Sequence, residues 1–107
     1  MDYTTITATK PGTSPPKAEK RTDDSKIFQI DCTPLLNDNE LIHGKVTVNS
    51  PILVIKNAMP KLGKYVRFKA EGGPVDIPYS DYLISFIVNT SIGSELSIPI
   101  SIRVYSV

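Results

Sequence analysis

From residue 26 onward, apolar and polar side chains alternate with a period of two. An extended chain turns successive side chains to opposite faces, so each such run predicts a half-buried strand. Residues 26–32 put Phe28, Ile30 and Cys32 on one face, with Gln29 and Asp31 on the other. Residues 44–50 turn Val46 and Val48 inward. Residues 64–70 turn Val66, Phe68 and Ala70 inward and Tyr65, Arg67 and Lys69 outward. Residues 81–90 place Tyr82, Ile84, Phe86 and Val88 on one face, and residues 95–104 do the same with Leu96, Ile98, Ile100, Ile102 and Val104. The continuous apolar run at 51–57, PILVIKN, predicts a strand buried on both faces.

Breakers separate the runs: Pro34, residues 37–39, Gly44, Pro51, Pro60, Gly63, Gly72-Gly73-Pro74 and Pro78. No long window carries a helical stripe. The expected fold is therefore all-β: an immunoglobulin-like antiparallel β-sandwich of about seven strands over residues 26–107. The last two runs also fix a register. A three-residue loop at Ser91-Ile92-Gly93 sets Val88 opposite Leu96, Phe86 opposite Ile98, Ile84 opposite Ile100 and Tyr82 opposite Ile102. Pro99 has no amide proton, so its strand is expected to be a sheet edge, or interrupted there.

Residues 1–25 read differently. Their apolar content is Met1, Tyr3, Ile6, Ala8 and Ala18, and basic and acidic residues cancel. Alone, such a segment cannot bury enough apolar surface to offset its ordering entropy. The expectation is an extended polar N-terminal arm that docks on a neighbouring subunit. Residues 4–10, TTITATK, would be its strand-like part, with Tyr3, Thr5, Ile6, Thr7 and Lys10 making the contact. A disordered tail is the alternative.

Composition narrows the function. The chain has 107 residues, enough for one small domain, and a net charge of +1, which gives no global field for nucleic acid or an anionic membrane. No apolar run is long enough to span a bilayer as a helix, and the first 26 residues lack the apolar segment of a signal peptide. The lone cysteine, Cys32, cannot form an internal disulfide and is expected to be a buried thiol in a protein made in a reducing cytoplasm. The one histidine, His43, is expected in an exposed turn. Asn37-Asp38-Asn39-Glu40 lacks the spacing of a calcium loop and reads as a surface turn. No pattern points to catalysis, a cofactor or a metal. The one biased patch is Lys56, Lys61, Lys64, Arg67 and Lys69, with no acid among residues 56–69. It offers either contact with an anionic partner, through Lys61, Lys64, Arg67 and Lys69, or simple edge protection.

Two stretches carry a family likeness. Residues 28–42 form a strand ending in Asp31, then Leu36, an acidic turn at Asp38 and Glu40, and Ile42. Residues 82–104 start at Tyr82, turn through Thr90-Ser91-Ile92-Gly93 and finish Ile102-Arg103-Val104. Together they resemble the small immunoglobulin-like virion structural proteins of tailed bacteriophages, of the fiber–tail adaptor type. They depart from that pattern at Cys32 and near Leu35, where the family often has Trp. The resemblance implies a non-enzymatic virion protein, assembled in the host bacterial cytoplasm. It would be a repeated module, in a ring or in many copies, bridging tail, neck, fiber or capsid subunits, with no membrane or nucleic-acid partner. Capsid decoration is the alternative within the same class. A carbohydrate-binding or adhesive module is a different class, and the absence of Trp speaks against it.

Overall fold

A computed structural model describes residues 3–10, 12–50, 52–73 and 78–106. The expected breakers at Pro51 and Pro74 lie outside the described residues. The described residues form eight strands: β1 Thr4–Thr7, β2 Lys17–Arg21, β3 Ser25–Asp31, β4 Ile42–Asn49, β5 Val54–Lys61, β6 Tyr65–Glu71, β7 Tyr79–Thr90 and β8 Glu95–Tyr105. They form two four-stranded sheets, ordered β1-β3-β6-β5 and β2-β8-β7-β4. The chain is all-β, with a single 3-10 turn at Thr33–Leu35 among the described residues.

The inward residues of the two sheets meet in one core. Phe28, Phe68 and Phe86 run through it, with ring centroids 5.5 Å apart between the first two and 4.6 Å between the last two. Phe28 and Phe68 come from one sheet and Phe86 from the other. Ile30, Val66, Ile84, Val88, Ile98, Ile100, Ile102 and Val104 fill the remaining space. Each large apolar side chain moved from water into such a core contributes about 1.5–3 kcal/mol.

The β7–β8 hairpin has the expected register at all four expected pairs. Thr90 N–H donates to Ser94 C=O at 2.9 Å and closes the loop, and Gly93 takes the left-handed conformation there, at φ 85°.

Three expectations are corrected. First, residues 4–7 and 17–21 are strands of the chain's own sheets. β1 lies parallel to β3, with Ile6 opposite Ile30, and β2 lies parallel to β8, with Ala18 opposite Ile102. The sheets are therefore mixed, with eight strands where about seven antiparallel ones were expected. The physical reason is that Ile6, Ala8 and Ala18 need not form a core of their own. They bury themselves against the one made by residues 26–107.

Second, the run at 51–57 is not buried on both faces. β5 is a sheet edge, and Ile52 and Val54 stand half exposed. A bulge at Asn57, φ 57°, breaks its register.

Third, β8 is an inner strand. Pro99 stands opposite Ser85 in a pair whose backbone groups point away from β7, so the β7 ladder loses no donor. On its other side β2 begins only beyond the proline: Ser101 N–H donates to Pro16 C=O at 3.0 Å. The interruption expected at Pro99 is present, while the edge is displaced to β2.

Candidate interaction face

The outer face of the β1-β3-β6-β5 sheet gathers most of the residues expected to contact partners. Strand registry aligns them in rows. Thr5, Gln29, Arg67 and Met59 lie side by side across all four strands, and Thr7, Asp31, Tyr65 and Lys61 form the next row. Lys69 stands opposite Ile27, one row further along.

Three of the cations on this sheet, Arg67, Lys56 and Lys69, are held in place. The Arg67 guanidinium donates to Gln29 Oε1 from Nε at 3.2 Å and from Nη2 at 2.7 Å. It also lies 4.4 Å from the centre of the Tyr3 ring. Glu71 pairs with Lys56 at 3.1 Å and with Lys69 at 3.5 Å. The hydrogen bond from Lys56, with the charge of both ammonium groups, holds the Glu71 carboxyl below its usual range. These ion pairs are partly exposed, so they order the surface more than they stabilise the fold. Beside Arg67 and Lys69, the bulge at Asn57 opens a shallow depression of about 240 Å³, with Ile27 and Met59 in its lining.

Three expected contact residues lie elsewhere. Ile6 points into the core and is no contact residue. Lys10 lines a cleft beside β8. Lys64 closes the β5–β6 turn, where its N–H donates to Lys61 C=O at 3.2 Å. The two central residues of that turn, Leu62 and Gly63, both have positive φ, 55° and 69°, the pattern of a type I′ hairpin. The Leu62 side chain is 87% exposed. Lys61 and Lys64 flank it and make no salt bridge among the described residues.

Some residues were not singled out by pattern. Gln29 and Glu71 sit on other strands and meet Arg67 and Lys69 only through registry. Glu40, expected in a solvent turn, is buried. Its carboxylate accepts from Asn37 N–H at 2.8 Å and from the Thr90 hydroxyl at 2.5 Å, and both bonds lower its proton affinity. His43 lies at the start of β4, exposed, with Nε2 3.1 Å from Thr90 C=O. Cys32 is buried as expected, and burial pushes its thiol up to about 12.

The face thus offers preordered cations, amide and hydroxyl groups over a shallow apolar dip. It can bind a partner surface that carries carboxylates and carbonyl groups. No family model matches this chain, and no curated protein matches it.

Proposed function

We propose that this chain is a non-enzymatic structural protein of a bacteriophage virion. It would be a small repeated module that bridges larger subunits in the tail, neck or fiber-attachment region. The observation that carries this reading is the outer face of the β1-β3-β6-β5 sheet. Tyr3, Thr5, Thr7, Lys61, Arg67 and Lys69 share that face, and neighbouring side chains already order Arg67 and Lys69. A surface spread over four strands, with Arg67 and Lys69 already ordered, suits another folded protein more than a small molecule.

Topology supports the immunoglobulin-like part of the reading. Counted from β2, the orders β3-β6-β5 and β8-β7-β4 match the B-E-D and G-F-C strand orders of an immunoglobulin sandwich. β2 lies beside β8 and not beside β3, and β1 lies beside β3 but parallel to it, so both depart from that antiparallel plan. The stretches that resemble the phage family fall on β3 with its following loop and on the β7–β8 hairpin. The docking role expected of an N-terminal arm passes to the sheet face that β1 borders.

The test is protein composition of purified particles from the phage that encodes the chain, with wild-type protein and with an Arg67→Glu/Lys69→Glu variant. The proposal expects the wild-type protein in a fixed low copy number per particle. It expects the variant to fold with an unchanged melting temperature and to be lost from particles. A much higher copy number on the head would favour capsid decoration. Absence of the wild-type protein from particles would overturn the virion reading.

A further inference from the structure

The edges of the two sheets are mostly blunted. β1 is four residues long, β2 turns Lys17, Glu19 and Arg21 outward, and β4 and β5 each carry a register shift. The start of β8 is a stretch of edge that is not blunted in this way. In β8 the backbone groups of alternate residues face β7, a parity set by the bond from Thr90 N–H to Ser94 C=O. The N–H and C=O of Glu95 and Ser97 therefore point to the other side. β2 pairs with that side only from Ser101 onward, so residues 95–97 have no strand beside them among the described residues. A cleft of about 890 Å³ lies there instead, lined by Lys10, Leu35, Leu36, Leu96 and Pro99 among others.

Only an extended main chain presents donors and acceptors at the spacing of this edge. We propose that its occupant is the same edge of a second copy, paired antiparallel about a two-fold axis at Leu96. Glu95 of one copy then faces Ser97 of the other. Each pair exchanges both its bonds, giving about four hydrogen bonds in all. This register uses every free N–H of residues 95–97 and leaves Pro99, which has none, just outside it. Leu96 meets its own image in the intervening pair, beside Leu35 and Leu36 of the cleft. The charges agree. Lys10 and Glu95 line the same cleft and make no salt bridge among the described residues. A cation and a carboxylate in the same cleft, unpaired with each other, can complement their own two-fold image. The inference rests on the fold alone and goes beyond the virion reading.

Sedimentation velocity of the full chain from micromolar to millimolar concentration tests it. The parent should show a concentration-dependent monomer–dimer equilibrium. Ser97→Pro has the strand parity of Pro99 and removes no donor from the β7 ladder. It should weaken association by at least about tenfold without lowering the melting temperature. Lys10→Glu should also weaken association, and Lys10→Glu/Glu95→Lys should restore it. That charge pair decides the matter if Ser97→Pro proves unstable. Amide exchange at Glu95 and Ser97 should slow as concentration rises, while that at Arg103 should not. A parent that stays monomeric throughout, or charge variants that dimerise like the parent, would overturn the proposal.

Discussion

The Thr90 hydroxyl donates to the Glu40 carboxylate although the two residues are 50 positions apart. That bond ties the loop before β4 to the β7–β8 turn. Ser91 N–H reinforces it by donating to Leu41 C=O at 2.8 Å. Glu40 ionises more readily in the folded protein than in the unfolded chain. Its stabilising contribution is therefore complete above the ordinary carboxylate range and is lost as pH falls through the lower folded value. Glu40→Gln should melt below the parent at neutral pH. The gap should narrow steadily as pH is lowered to about 2. A gap that does not change with pH would mean that the charge of Glu40 is irrelevant.

Removal of residues 1–21 takes away two strands and uncovers the core beside Ile30 and Ile102. Ile6, Ala8 and Ala18 leave the interior, and β3 and β8 each gain an open edge. The truncated chain should lose at least about 2 kcal/mol of stability in urea unfolding. An unchanged midpoint would show that the segment contributes nothing to the isolated domain.

Leu62 holds a left-handed backbone that costs a branched side chain about 1 kcal/mol or more. Asn visits that region more readily and is favoured at this turn position. Leu62→Asn should raise stability by about 0.5–1 kcal/mol while deleting the most exposed large apolar side chain among the described residues. Thermal melts of the two proteins check this directly.

Cys32 should resist alkylation in the native state. Its thiol is buried and its proton is held to about 12. Labelling with a thiol reagent at neutral pH should follow the unfolded fraction as urea is added. Rapid labelling without denaturant would contradict its burial.

Where alternation was strong and the partner strand was the next in sequence, the fold was legible from sequence. The β7–β8 register follows from eight apolar residues that agree on one face and from a glycine at the turn. Ile6, Ala8 and Ala18 were legible only as weak signals, because each supplies a small part of an interior built elsewhere, through parallel pairing to distant strands. The run at residues 51–57 misled because period-two reading cannot distinguish a fully buried strand from an apolar edge. Within the candidate face, alternation placed Arg67 and Lys69 together on the outward side. It could not supply Gln29, Glu71 or Tyr3, which reach them through registry and stacking. Glu40 looked like any acid in a turn, since its burial depends on a threonine at the far end of another strand.

The parallel pairing of β2 with β8 sets how the domain would bear a pull on its two ends. The first of these strands leads toward the N-terminus and the second toward the C-terminus, and they run side by side in the same direction over the pairs from Lys17–Ser101 to Arg21–Tyr105. Tension between the ends drags the two strands past each other lengthwise. The cross-strand bonds are then strained together in shear, and do not open one after another like a zipper. A module joined to other proteins by both ends would transmit load along that seam and along the parallel β1–β3 seam upstream of it.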